Sequence, residues 1–400
     1  MSCRSSRTRL LILGVTAAFA AVSACSAPRT ASSGPERPTS QVSASSNAKI
    51  VSNIPRGATN VDVDRKLRLR VEAGTFEAVE VTGPEGSSIE GRLSPDKTRW
   101  AARSPLRANS RYRITSTATD TESREGTFES VFRTRELTLD EQTYPSFALA
   151  DGQTVGVGMP VVIRFDIPVT DQASIERHLK VTSRPAQAGA FRWVSGQEVH
   201  WRPKAYWRPG TDVTVEADIG GVPAGSGIYG QKDRRMTFQV GDAMVSEVDM
   251  NAHQMQVFRN GKLARTIPIT TGEQPKFTTR SGIKVISEKY RSKRMNSATV
   301  GIDPDSADGY DLDDVEYAMR LTTSGEFVHA APWSVGSQGS ANVSHGCTGM
   351  STANAEWLYN NTNVGDVIEY VGTDKPMDLT NGFGDWNTSF RDYRAGSALS

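Results

Sequence analysis

The chain has 400 residues, with 46 Lys and Arg against 45 Asp and Glu and a formal net charge of +1. Such a balance carries no electrostatic footprint for nucleic acid, and the length exceeds what one hydrophobic core organises, so two to four domains are expected. The 35 Gly and 19 Pro, scattered as turn-forming pairs, favour β architecture. Apart from residues 10–22, no apolar run approaches the length that spans a bilayer.

The amino terminus reads as a targeting segment. Arg4, Arg7 and Arg9 form a basic region ahead of an apolar run over residues 10–22 that is too short for a stable anchor. Val22-Ser23-Ala24-Cys25 then looks like a bacterial lipobox, the alternative being an ordinary small-residue cleavage site. On the lipobox reading residues 1–24 are a signal peptide and Cys25 is lipidated. The protein is then exported and held at the cell membrane, facing the wall. Cys3 leaves with the signal and Cys25 is acylated, so Cys347 is left as one free thiol in an oxidising compartment, which points to chemistry. Residues 25–48 are rich in Ser, Pro, Thr and Ala and cannot bury enough surface to fold. They are expected to be a disordered tether reaching on the order of 60 Å at about 3.3 Å per residue.

Residues 49–138 alternate. Leu67-Arg68-Leu69-Arg70-Val71 and Tyr112-Arg113-Ile114-Thr115-Ser116 each place apolar side chains on one face, with turns at Gly83-Pro84-Glu85-Gly86 and Ser94-Pro95-Asp96-Lys97. Residues 139–242 repeat the pattern with Val161-Val162-Ile163-Arg164-Phe165 and Val213-Thr214-Val215-Glu216-Ala217. Two immunoglobulin-like β-sandwiches related by duplication are expected, acting as spacer and docking platform. Trp100 and Trp201 occupy matching places and read as core anchors. His178 and His200 have no ligand-like partners nearby in sequence and read as incidental.

Residues 243–372 form the third domain. Asn260-Gly261 predicts a tight hairpin between two strands. The polar, Gly- and Asp-rich run from 295 to 310 has little periodicity. Residues 317–321 and 327–330 read as strands joined by a turn at Thr323-Ser324-Gly325, which sets His329 on a rigid element. Residues 351–360 read as a short helix capped by Ser351, whose positive end lies just beyond a cysteine loop and would help hold a thiolate. His253 reads as a surface residue. Residues 373–400 carry Phe383, Trp386, Phe390 and Tyr393, expected to pack back on the body.

The chemistry centres on Ser344-His345-Gly346-Cys347-Thr348-Gly349, with His329 fourteen residues upstream of Ser344. A thiol becomes a strong nucleophile as thiolate, and an imidazole that takes its proton supplies that form near neutral pH. Gly346 and Gly349 allow a tight turn whose main-chain N–H groups could face one point beside the sulfur, each such donor worth about 3 kcal/mol to an oxyanion. The plain alternative is a buried structural cysteine.

This motif, Ser344-His345-Gly346-Cys347 with His329 at that distance, resembles the signature of the L,D-transpeptidases with a YkuD-type catalytic domain. Two positions depart from it: Thr348 is only weakly hydrophobic, and Gly349 stands where the family has Asn. The resemblance implies a β-rich catalytic domain behind two immunoglobulin-like domains, and a cysteine acyltransferase that joins peptidoglycan stem peptides by 3→3 cross-links through a thioester. It implies Cys347, His329, His345 and Gly346 as the catalytic set and the Ala330 carbonyl as the group orienting His329. Tyr310 on a flap, Ser324, Gly325, Ser344 and Gly349 would contact substrate. Carbapenems are implied as covalent inhibitors, with no metal or other cofactor. The segment Gly382-Phe383-Gly384-Asp385-Trp386-Asn387 resembles a C-terminal extension of mycobacterial members. Two competing readings are a sortase, which needs an Arg soon after the Cys (none occurs between Cys347 and Arg391), and a wall-binding protein with a degenerate site.

Overall fold

The computed structural model describes residues 45–400. The signal segment and Cys25 lie outside the described residues. The tether does not stay free to residue 48: Ser46 Oγ donates to the Arg124 carbonyl at 2.8 Å and the Asn47 N–H donates to Asp120 Oδ2 at 2.9 Å. Two polar residues with fixed partners suffice to dock its last turn.

The described chain is mainly β. In the first sandwich one sheet runs Lys49–Ser52, Arg68–Glu72, Arg99–Ala102, Gly91–Leu93, and faces a sheet of Thr75–Thr82, Arg111–Thr119 and Glu125–Arg133. The alternation seen in the sequence is the burial pattern: Leu69, Trp100, Tyr112 and Ile114 point inward while the arginines between them face solvent.

The second sandwich repeats that order. Its sheet runs Pro145–Phe147, Val161–Phe165, Glu198–Pro203, Gly189–Trp193, again with the fourth strand in sequence placed third. Trp100 lies opposite Leu69 and Trp201 opposite Val161, so both tryptophans anchor equivalent cores. Gln153–Val155, Arg234–Val240, Asp212–Ala217 and Leu179–Arg184 supply the facing sheet.

Two sheets build the third domain. One runs Lys262–Pro268, Gln254–Arg259, Met244–Asp249, Val367–Val371, Gly282–Val285. The Asn260-Gly261 turn closes its first hairpin with both φ angles positive, +50° and +76°, the geometry that favours this pair of residues. The other sheet runs Glu288–Asn296, Asp311–Arg320, Phe327–Ala330, Thr348–Met350. Met255, Val257, Met319, Val328, Met350 and Ile368 fill the space between. The helix Thr352–Asn361 starts where expected, with Ser351 Oγ accepting the Asn354 N–H.

The second sandwich is not a detachable spacer. Gly156 and Gly158 donate to the carbonyls of Val364 and Gly365, both at 2.8 Å, and a Cβ on either glycine would overlap Asp366 or Val367. Val367 packs into the sandwich core, and Tyr206 donates to Glu369 at 2.8 Å.

The tail completes the weld. The Trp386 ring lies 4.6 Å from Tyr206 and its Nε1 donates to the Gly158 carbonyl at 2.7 Å. Arg202 sits over Trp386, Phe390 and Tyr393 at 4.7, 5.4 and 4.5 Å, and Phe383 packs against the second sandwich's core, so the four tail aromatics pack against the body as expected.

His200 is not incidental. It is buried with Nδ1 2.8 Å from Asp385 and Nε2 2.8 Å from Glu198. Burial alone would push it down, but the Asp385 carboxylate and the bonds to both acids outweigh this and hold it at about 9. Glu198 is two residues away on the same face of a strand, while Asp385 comes from the tail. That second partner lies 185 residues away in the chain, beyond any spacing argument. His253 is partly buried and bonded to Asn342 at 3.0 Å, not free on the surface.

Candidate active site

His329 and the cysteine loop meet because their strands pair. Phe327–Ala330 runs parallel to Thr348–Met350, with Val328 opposite Thr348 and His329 opposite Gly349, so Cys347 enters the sheet beside the strand carrying the imidazole. The loop before it is tied by its own side chains. Ser344 Oγ donates to the Cys347 carbonyl at 2.6 Å and accepts the Gly346 N–H at 3.1 Å. Thr279 Oγ1 donates to the Gly346 carbonyl at 2.9 Å and accepts the Gly272 N–H. Gly346 has φ +125°, a conformation that requires glycine. Its N–H is spent on Ser344, so the expected oxyanion donor at Gly346 is not free to face a reacting carbonyl.

Cys347, His329, His345, Ser344 and Tyr310 line one cavity of ≈ 320 Å³. The His345 ring lies between Phe277 and Tyr310, at 4.3 and 5.1 Å. Tyr310 sits on the loop that joins Glu288–Asn296 to Asp311–Arg320 over the cavity, and burial pushes its hydroxyl up to about 12. His329 Nδ1 lies 2.7 Å from the Ala330 carbonyl, as the resemblance implied. That bond puts the proton on Nδ1 and leaves Nε2 as the acceptor.

Other expected contact residues lie outside this lining. Gly325 reaches the site through its backbone: its carbonyl is 3.6 Å from Cys347 Sγ and accepts the thiol. Ser324 stands beside it on the exposed turn and does not line the cavity. Gly349 is buried in the strand, exchanging backbone bonds with Thr270 at 2.9 and 3.0 Å, and does not face substrate. Thr348 is explained by its hydroxyl, which meets Tyr370 Oη at 2.7 Å in the core.

The resting thiolate is not what this environment favours. Burial pushes the Cys347 thiol up to about 11, with Glu326 adding to the rise; the Phe327 N–H, Lys284 and Arg320 oppose it without overcoming it. Burial also lowers His329, so the pair rests as neutral thiol and neutral imidazole. Nor does the helix end touch the sulfur directly, because the strand Thr348–Met350 intervenes before Ser351.

Sequence reading missed the wall and the floor of the site. Trp333 stacks on His329, ring centroids 5.9 Å apart, and is 59% exposed; Met295, Leu312 and Val343 continue that apolar wall. The Ala331-Pro332-Trp333 run directly after His329 was the available signal. Beneath the loop, fully buried Lys284 donates to Glu326 Oε2 at 2.5 Å, and Arg280 reaches Glu326 Oε1 at 3.0 Å. Lys284 also lies 3.7 Å from the Tyr370 ring.

Comparison with known proteins agrees with this geometry. Residues 58–223 match a bacterial Ig domain model, and residues 243–369 match the model of the L,D-transpeptidase catalytic domain, YkuD. L,D-transpeptidase 2 of Mycobacterium tuberculosis is 36% identical over 356 residues, covering 88% of this chain and 85% of that protein. L,D-transpeptidase 5 of the same species is 33% identical, covering 83% of this chain and 73% of that protein. A solved L,D-transpeptidase structure in complex with imipenem is 41% identical with a TM-score of 0.50, covering 56% of this chain and 97% of that one. Similarity at that level runs through both the sandwiches and the catalytic domain, and on it this chain belongs to the L,D-transpeptidase family, whose general function is the cross-linking of peptidoglycan.

Proposed function

We propose that this chain forms 3→3 cross-links through a Cys347 thioester. As a donor tetrapeptide stem enters the cavity, His329 Nε2 takes the thiol proton while the sulfur attacks the carbonyl of the third residue. The terminal D-Ala leaves as its amine, taking that proton from His329. The side-chain amine of a second stem then attacks the thioester, gives its proton to His329, and expels the sulfur, which is reprotonated. The observation that carries this reading is the convergence of Cys347 and a tautomer-fixed His329 on one cavity. The neutral resting pair fits it, because the proton moves only when a carbonyl is present to receive the sulfur.

On the same reading Tyr310 holds the donor stem over the cavity, and carbapenems acylate Cys347. The chain is exported and lipid-anchored through Cys25, facing the wall. The deciding experiment incubates the protein with disaccharide tetrapeptides and follows the products by mass spectrometry. Dimers that have lost one D-Ala and are linked between third residues are expected, and Cys347→Ala should make none. Dimer formation by Cys347→Ala would refute the thioester route. Cys25→Ala should abolish acyl labelling in cells, and labelling that persists would refute the anchor.

A further inference from the structure

The turn that carries the thiol's partner is held from below by the C-terminal tail. Thr323 and Ser324 are exposed, yet both bond to one buried side chain, Asn381, which is 8% exposed. Asn381 Oδ1 accepts from Ser324 N and from Thr323 Oγ1, both at 2.9 Å, and its Nδ2 donates to Ser324 Oγ at 2.9 Å. The next residue is Gly325, whose carbonyl accepts the Cys347 thiol. Ser324 Oγ also receives Arg280, the residue that joins the buried Glu326 and Lys284 pair under the loop.

Asn381 is itself clamped on both sides. Ahead of it, Ser281 and the tail exchange backbone bonds at Lys375 and Met377, both at 2.8 Å. Behind it, the Asn387 amide bonds the N–H and carbonyl of Ile283 at 2.8 and 2.7 Å. Between these clamps the backbone at Gly382 passes so close to Leu321 that a Cβ there would lie 2.6 Å from its carbonyl oxygen. The tail thus presents one amide, with its acceptor and its donor both used, to the turn beside the nucleophile.

We propose that Asn381 is a positioning residue for the acyl-transfer reaction: it sets the Thr323–Gly325 turn and, through the Gly325 carbonyl, the orientation of the Cys347 thiol. A helix or strand ladder normally fixes such a turn, but here the Ser324 N–H finds its acceptor in a side chain of the tail. Without that amide the Ser324 N–H loses its acceptor and Ser324 Oγ loses one of its donors, the turn shifts, and the carbonyl releases the sulfur. Because that carbonyl holds the protonated thiol, its loss makes Cys347 more acidic, while a misplaced turn slows acylation. Loosening of the fold would also let water reach the thiol and make it more acidic, so the discriminating readout is rescue by Asn381→Asp, which keeps the acceptor oxygen for Ser324 N and Thr323 Oγ1.

The test uses the full chain with Asn381→Ala, Asn381→Asp and Thr323→Val. Two rates are measured: alkylation of Cys347 by iodoacetamide across pH 7–10, and acylation by imipenem. Asn381→Ala should move the alkylation profile to lower pH by roughly half a unit or more, and slow acylation by about 10- to 100-fold. Asn381→Asp still accepts from Ser324 N and Thr323 Oγ1, its second oxygen accepts the Ser324 hydroxyl in place of the lost N–H donor, and it should restore most of both. Thr323→Val removes one bond at an exposed position and should shift both rates the same way by less, which decides the matter even if Asn381→Ala does not fold. An unmoved alkylation profile in Thr323→Val and Asn381→Ala, or equal slowing of both reactions, would overturn the proposal. The acylation readout rests on the proposed function; alkylation does not, so a wild-type chain inert to imipenem would sink the function and leave the role of Asn381 still decidable.

Discussion

The Cys347 thiol donates to the Gly325 carbonyl oxygen, 3.6 Å away, at the end of the turn that precedes the His329 strand. This places the nucleophile's proton on a backbone acceptor in the resting enzyme. The base is therefore engaged by the arriving substrate instead of by a standing ion pair.

The pH behaviour of the nucleophile follows from that arrangement. With the thiol pushed up to about 11 and His329 lowered, alkylation of Cys347 should keep rising beyond pH 9. A plateau between pH 6 and 8 would reveal a thiolate–imidazolium pair and contradict it. His329→Ala should slow imipenem acylation by roughly 10² to 10⁴, the usual worth of a positioned base, as read by intact-mass kinetics.

Gly349 gives a clear expectation against its replacement. The family residue Asn at this position would seem a route to better substrate positioning and more cross-linking. Here a Cβ would lie 2.9 Å from Ala331 Cβ and 3.1 Å from Thr270 Cγ2, inside a closed backbone bridge. Gly349→Asn should therefore cost about 1–3 kcal/mol of stability and lower cross-linking and imipenem acylation together. The thermal midpoint and both rates are the measurements.

The His200 cluster makes stability depend on alkaline pH. Its folded value of about 9 lies above the ordinary 6.5, so the stabilisation from charged His200 is complete below about pH 6.5 and drains away as pH rises through 9. The span corresponds to on the order of 3 kcal/mol. Denaturant melts of wild type and His200→Gln between pH 6 and 9.5 should converge at the alkaline end. A constant gap would show that His200 is not charged in the fold.

The sequence alone suggests that the catalytic domain can work without the sandwiches. The structure predicts otherwise for a chain that starts at Ala243. It would lose Arg202, His200 and Tyr206, leaving Asp385, Trp386 and Tyr393 without their partners from the second sandwich. Such a chain should melt well below the full protein and react with imipenem more slowly. Undiminished stability and rate would mean that the tail keeps its place without the second sandwich.

What could be read from the one-dimensional chain was local. Period-two alternation marked Arg68–Glu72, Arg111–Thr119 and Val161–Phe165 because one face of a sheet is buried and the other is wet. Asn260-Gly261 announced its hairpin through two positive φ angles, and Ser351 its helix through a single side-chain oxygen. The motif around Cys347 and its spacing to His329 were legible because they lie along the chain, and the Ala330 carbonyl came only with the family resemblance that the motif carries. Only the tertiary structure decided what burial and distant partners do to those residues. It lifted the thiol, buried Gly349 in a bridge with Thr270, and paired His200 with an aspartate 185 residues away. It also laid the tail's Asn381 beneath the turn at Ser324. Desolvation and long-range pairing depend on which surfaces meet, and no local pattern records that.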